Sequence, residues 1–455
     1  MKPERILVVG GGHVGLYAAL RLSKKLKSRE AEVVVVDPQP HMTYQPFLPE
    51  ASAGSISPRH AVVPLRRELR RCHIVSGEVT RIEHAHKTAT VQPIVGPARE
   101  ITYDHIVVAP GSVSRTLPIP GLRENAIGFK TIGEAIYLRN HVLDRLDVAA
   151  ATTDPDTRRR ALTFVFVGGG YAGIEALAEM EDMARDALRY YPELSPDDMH
   201  WVLIEATQRI LPEVDRDMGA YTVKQLLKRR LDIRLDTRLE SCVDGVAKLS
   251  DGDSFAADTI VWTAGVKASP MLVATDLPRD DKGRLTCLPT LQVVSGQTVV
   301  EGAWSAGDCA AVPDLTGPPG ALCSPSAQHA VRQAKRLADN IRAVMRGREP
   351  VAYRHKYLGS VASLGLHKGV AQVYGVKVTG FIAWFMHRTY HLGRIPSLNR
   401  KIRVVADWTL ALFLKREVIS LGQVHEPREP FTVVTPAVWP ASPPNSVGVG
   451  RTEGG

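Results

Sequence analysis

The sequence predicts an α/β fold: two Rossmann-like dinucleotide-binding domains, the first split by insertion of the second, then a small C-terminal α+β region with amphipathic helices. Three observations predict it. Two Gly-x-Gly-x-x-Gly loops stand at residues 10–15 and 168–173, each between an apolar run of strand length and a helical run. After each, a further apolar strand ends in an acid, Asp37 in the first unit and Glu205 in the second. Late in the chain, residues 304–311 supply another strand and a turn at Gly307-Asp308 that would complete the first unit.

The first unit opens with a buried parallel strand over 6–9. Gly10 allows the tight turn, Gly12 lets the backbone approach a pyrophosphate, and Gly15 lets helix and strand pack closely, with His13 and Val14 in the same loop. A helix over 16–26 would point its N-terminal N–H groups at the phosphates. The strand over 33–36 ends in Asp37, which can accept hydrogen bonds from a ribose. Residues 38–50 carry four prolines, which should keep them out of a regular helix or central strand. Strands follow over 77–82 and onward through Val91 and Ile101. At 103–112 an apolar strand runs into a glycine turn, with Ala109 and Gly111 where the chain would return to the first sheet.

A connector over 116–160 holds a helix at 132–146 and a polar loop at 152–156. The opening pattern then recurs: a strand over 162–167, the glycines Gly168, Gly170 and Gly173, a helix bearing Glu175, Glu179 and Glu181, and a strand over 200–204. Glu205 would hydrogen-bond a ribose 2′-hydroxyl and repel a 2′-phosphate, and no arginine directly follows it, which favours NADH over NADPH. Residues 258–267, with Ala264 and Gly265, end this insert and re-enter the first unit.

Composition narrows the rest. The 455 residues allow two or three domains. The net charge of +9 can suit nucleic acid, a membrane surface or acidic ligands, but no aromatic-interleaved basic patch supports nucleic acid. Cys72, Cys242, Cys287, Cys309 and Cys323 form no Cys-x-x-Cys pair, so neither a metal site nor a local redox disulfide is expected. No signal peptide is evident and no apolar run reaches the roughly 20 residues of a spanning helix. Residues 334–346 read as a basic helix, followed by strands over 361–365 and 371–376. Phe381, Trp384, Phe385 and Leu392 then recur at helical spacing, with Arg394, Arg400, Lys401 and Arg403 after them and Trp408 beyond. Such stretches suit helices lying in a lipid head-group region, or an apolar stripe buried in a core or dimer interface.

Residues 1 to about 415 resemble the pyridine-nucleotide:flavin reductases, most closely the type II NADH dehydrogenases, on the paired glycine loops, Tyr44-Gln45-Pro46, Gly173-Ile174-Glu175, the run 261–266, Ala306-Gly307-Asp308 and Ala327-Gln328-His329-Ala330. The resemblance implies non-covalent FAD in the first unit, NADH in the second, and a quinone, menaquinone or ubiquinone, as acceptor. It implies a peripheral enzyme on the cytoplasmic side of the cell membrane that pumps no protons, and a homodimer. It assigns FAD to the segment around Gln45, to Ala109 and Gly111, and to Gly307, Asp308, Ala327 and Gln328. The family's Ala-Gln-x-Ala-x-Gln motif lies where the quinone docks; here Arg332 takes the place of the second Gln and Gln333 follows, and Leu358 stands where the family often has Lys. These departures bear on the acceptor and leave the two nucleotide assignments untouched. Glu175 either orients the nicotinamide carboxamide or is a helix-start acid favoured by the dipole, and Arg332 either contacts flavin or quinone or is a solvated helix charge.

The expected order is an FAD domain over 1–115, an NADH domain over 116–265, the second FAD half over 266–340, a membrane-association or dimerisation region over 341–430 and a disordered tail over 431–455. Two other readings share this fold: a soluble NAD(P)H-dependent flavin reductase of a protein electron carrier, and a non-catalytic FAD/NADH redox sensor. Sulfide:quinone oxidoreductase fits less well, because no cysteine follows Cys323.

Overall fold

The computed structural model describes residues 2–355, 359–414 and 416–421, and all its helices and strands fall in one compact unit, Met1–Ser420. Leu358 and the tail beyond residue 431 lie outside the described residues.

The centre of the first sheet is parallel, as apolar strands buried on both faces require. Strand Glu4–Val9 pairs with Ala31–Asp37 on one side and with His105–Val108 on the other. The late strand Thr298–Ser305 joins beyond, with Trp304 opposite Val107 and Ser305 opposite Val108. A residue nearly 200 positions downstream thus completes the first sheet. The second sheet is wholly parallel, in the order Ala126–Gly128, Thr259–Trp262, Thr163–Val167, His200–Ile204, Asp232–Arg234. All its strands come from the chain between His105–Val108 and Thr298–Ser305.

Several elements differ from expectation. The first helix is His13–Lys25 and begins inside the glycine loop. Despite its prolines, the 38–50 segment contains a 3-10 turn, Gln45–Phe47, and a short helix, Leu48–Ser52. Pro46 and Pro49 stand in the first turn of each, where a missing N–H costs nothing. The connector helix runs Ile132–Ala151, fixed by a reciprocal Thr131–Glu134 capping box, and a further helix, Pro155–Ala161, begins at the end of the expected polar loop. The basic helix starts earlier, as Ala327–Val344.

A three-stranded antiparallel sheet, Gly359–Ser363, Gly369–Val373 and Val376–Thr379, leads into helices Gly380–Arg394 and Leu398–Phe413. Both helices are two-faced. Trp384, His387, Arg388 and Val404 are buried, whereas Phe381, Ile382, Phe385, Leu398, Ile402, Leu412 and Phe413 are exposed. Trp384, expected on the same apolar stripe as Phe381 and Phe385, turns inward.

Candidate functional site

The first glycine loop lines a cavity of about 570 Å³. Gly10, Gly12, His13 and Val14 form one wall, and Asp37, Gln45, Ala109, Gly111, Gly307, Asp308 and Ala327 line the rest. The glycines are required for different reasons. Gly10 has φ +95°, and a Cβ there would sit 2.4 Å from the Ala109 carbonyl oxygen. A Cβ on Gly15 would sit 1.8 Å from the Gly10 carbonyl oxygen, so Gly15 does not line the cavity but lets the helix close on the strand. Beside Gly12 and Gly111 a Cβ would meet nothing within 4 Å, so that space is open to a ligand.

Asp37 is fixed by its own loop. Its Oδ2 accepts from the Gly11 N–H at 2.5 Å and its Oδ1 from the Gln39 N–H at 2.6 Å. Burial raises its pKa, and these two bonds pull it back. The second loop repeats the arrangement. Glu205 Oε2 accepts from the Gly169 N–H at 2.6 Å, and Oε1 accepts from the N–H and the hydroxyl of Thr207, both at 2.8 Å. Gly168 has φ +115°, a Cβ on Gly173 would sit 1.9 Å from the Gly168 carbonyl oxygen, and space beside Gly170 is open. Gly265 has φ +90° and follows Ala264 where the chain leaves the second sheet.

The far end of the first cavity is polar. Ser112 Oγ donates to Asp308 Oδ2 at 2.6 Å, and Lys130 Nζ donates to Ser112 Oγ at 2.9 Å. Gln45 Nε2 donates to the Lys130 carbonyl at 3.3 Å. Burial lowers the Lys130 pKa, with Asp308 and Glu134 opposing. Burial also brings His13 down to about 4, so this ring is neutral near pH 7. Ser112 and Lys130 were not among the expected site residues. Lys130 belongs to the connector, outside both glycine fingerprints, and only the fold brings it to Asp308.

The helix Ala327–Val344 points its first turn at the cavity through Ala327 and Ala330. Gln328 is half-buried in that turn but does not line the cavity. Arg332 faces elsewhere: its Nη1 is 3.1 Å from His355 Nδ1. Gln333, one residue on, is buried and accepts from the Gly307 N–H at 2.8 Å, fixing the turn that carries Asp308. Glu175 lies beyond the first turn of helix Tyr171–Ala187, where a dipole role falls away. It is buried, accepts from the Ser363 N–H at 2.9 Å and lies 3.0 Å from His387 Nε2.

The open space beside Gly12, the carboxylate at the end of the second strand and the elongated cavity fit a dinucleotide. The second loop offers the same cradle to a second one.

The comparisons agree. A "Probable NADH dehydrogenase" of Dictyostelium discoideum is 27% identical over 423 residues, covering 92% of this chain and 91% of that protein. A type II NADH:quinone oxidoreductase of Mycobacterium tuberculosis is 28% identical over 430 residues, covering 91% and 89%. Among solved structures, Plasmodium falciparum NDH2 in complex with NADH superposes with a TM-score of 0.84 at 17% identity, covering 92% of this chain and all of that one. At that identity the likeness speaks for the fold. The family described as pyridine nucleotide-disulphide oxidoreductase matches residues 4–334, and the chain belongs to it.

Proposed function

We propose that this protein is an FAD-dependent NADH:quinone oxidoreductase that pumps no protons. One observation carries the reading: two glycine loops of the same build, each closed by a carboxylate on its middle glycine, Asp37 on Gly11 and Glu205 on Gly169. FAD would be held, non-covalently, by the Gly10–Gly15 loop, Asp37, Ser112 and Asp308, and NADH by the second loop and Glu205. When bound, the flavin supplies the two-electron chemistry between hydride donor and acceptor. The chain's own residues bind and orient. Asp37 and Glu205 present acceptors to ribose hydroxyls, Gln333 holds the Gly307 turn, and Lys130 places a cation beside Asp308. Gln328 and Arg332 are the proposed acceptor-side residues on the Ala327–Val344 helix, with Arg332 acting from the His355 side.

We place the protein on a membrane surface, on its cytoplasmic side. Exposed Phe381, Phe385, Ile402, Leu412 and Phe413 support this, beside the basic residues Lys401 and Arg403. Among the described residues, no helix is long and apolar enough to cross a membrane. A homodimer is proposed on the family resemblance, and sedimentation velocity reads it.

Anaerobic stopped-flow tests the function. The yellow protein is reduced with NADH, then mixed with a short-chain ubiquinone or menaquinone analogue. Reoxidation far faster than by oxygen is expected. Fast reduction with sluggish reoxidation by every quinone would move the acceptor to a protein carrier.

A further inference from the structure

The strand His200–Ile204 runs into a turn that encloses the acid following it. Glu205 Oε2 accepts from the Gly169 N–H at 2.6 Å, and Oε1 accepts from both the N–H and the hydroxyl of Thr207 at 2.8 Å. The Thr207 hydroxyl is also 3.0 Å from the Arg209 carbonyl. A hydroxyl has one proton, and an ionised acceptor draws it more strongly than a carbonyl, so it goes to Glu205. The turn is stapled to the chain beyond the neighbouring strand. The Glu205 N–H donates to the Arg234 carbonyl at 2.8 Å, and the Thr207 carbonyl accepts from the Asp236 N–H at 3.0 Å. Arg209 is the only Lys or Arg from 205 to 215. Its Nη2 donates to the Pro212 carbonyl, and its charge acts on Asp215.

We propose that Thr207 is a positioning residue for nucleotide selectivity: its hydroxyl locks Glu205 in an orientation that takes a ribose hydroxyl and refuses a 2′-phosphate, so that the site prefers NADH to NADPH. This rests on the NADH reading above.

A carboxylate offers about four acceptor sites. Three on Glu205 are filled by the chain, which leaves room for one more donor. A 2′-hydroxyl is such a donor. A 2′-phosphate puts negative charge where that donor would be. To admit it Glu205 has to swing out, and three hydrogen bonds to a charged group are lost together. The Thr207 hydroxyl supplies one of the three, and the other two come from backbone N–H groups that no side-chain substitution removes. Arg209, the one nearby cation in sequence that could pair with the phosphate, is held back by Pro212. The stapled backbone keeps the turn in place when the hydroxyl is taken away, so its loss loosens the acid and leaves the loop. A loosened Glu205 still accepts from a ribose hydroxyl, but it yields to a phosphate at lower cost.

The test is titration calorimetry of the oxidised holoenzyme with NAD⁺ and NADP⁺, beside stopped-flow reduction by NADH and NADPH, on Thr207→Val and Thr207→Ser. Thr207→Val keeps the shape and the backbone N–H and removes the hydroxyl. Its NADP⁺ should bind about tenfold more tightly than in wild type, the scale of one hydrogen bond to a charged group, while NAD⁺ weakens by less than about threefold. The KM for NADPH should fall in step, with the rate of flavin reduction at saturating NADH within about twofold of wild type. Thr207→Ser restores the hydroxyl and should restore wild-type selectivity. General damage to the turn would weaken both nucleotides, so tighter NADP⁺ binding is a readout that a merely structural role does not give. Thr207→Ala lacks the same hydroxyl and reports even where Thr207→Val does not fold. Unchanged or weaker NADP⁺ binding in the hydroxyl-free variant, or a serine variant that behaves like the valine one, overturns the role of Thr207 and leaves the NADH reading standing. A wild-type protein that binds neither nucleotide and is reduced by neither overturns both.

Discussion

The Glu205 carboxylate accepts the Gly169 backbone N–H at 2.6 Å, which fixes the acid against the loop that would carry the nucleotide phosphates. Its other oxygen is held by Thr207, so the side chain is set before any ligand arrives. Glu205→Ala should raise the KM for NADH about tenfold or more, the scale of a lost charged hydrogen bond, and narrow the preference over NADPH. The rate of flavin reduction at saturating NADH should change little. Steady-state kinetics with both nucleotides read this out.

Gly12 and Gly15 sit three residues apart and should respond oppositely. Gly15→Ala forces a Cβ to 1.8 Å from a backbone oxygen and should cost more than about 4 kcal/mol, leaving little folded protein. Gly12→Ala meets no protein atom within 4 Å, so it should fold and melt like wild type yet purify with less flavin. Thermal unfolding beside the 450-to-280 nm absorbance ratio separates the two.

Asp308 accepts from Ser112 at the polar end of the cavity. Asp308→Asn keeps the shape and removes the charge. Flavin binding to the apoprotein should weaken about tenfold or more, measured by fluorescence titration.

The buried acid Glu179 has its pKa raised from 4.5 to about 7. An acid raised on folding binds more protons in the native state, so its contribution is fully present below pH 4.5 and is lost as the pH climbs to about 7. Glu179→Gln should therefore melt like wild type at pH 5 and about 4 °C higher at pH 8. Equal melting temperatures at both pH values would show that the carboxyl titrates normally.

The exposed apolar residues of the last two helices should govern lipid binding. Phe381→Ser with Phe385→Ser should cut co-flotation with anionic vesicles about tenfold, with the NADH half-reaction intact. Phe381 and Phe385 are more than half exposed, so the double variant should fold.

The parts of this molecule that were legible in sequence are those written locally. Gly10, Gly12, Asp37 and Glu205 declare themselves because turn, dipole and acid lie within one βαβ unit. Lys130 was not legible, because its partner Ser112 is 18 residues away across a change of sheet and only folding sets them at 2.9 Å. Arg332 and Gln333 show a different limit. Matching the family motif position by position drew attention to Arg332, but neighbouring residues on a helix point about 100° apart. It is Gln333 that turns inward to Gly307, while Arg332 turns to His355. The 38–50 segment escaped because proline was weighed as a breaker, whereas Pro46 and Pro49 open their turns.

Arg388 lies between the rings of Trp384 and Trp408, 4.1 and 4.9 Å from their centroids, with its guanidinium 3.0 Å from Glu50. Trp408 donates to the same Glu50 oxygen at 2.8 Å, and Glu50 belongs to the short helix that follows the Gln45 turn. To lift the two C-terminal helices away would strand Glu50 without its cation and Arg388 without its acid. Those helices are therefore a buttress for the cavity as much as a foot for the protein. A truncation made before residue 380 to obtain a lipid-free enzyme would take the brace away with the foot, and its lost activity would say nothing about whether lipid is required.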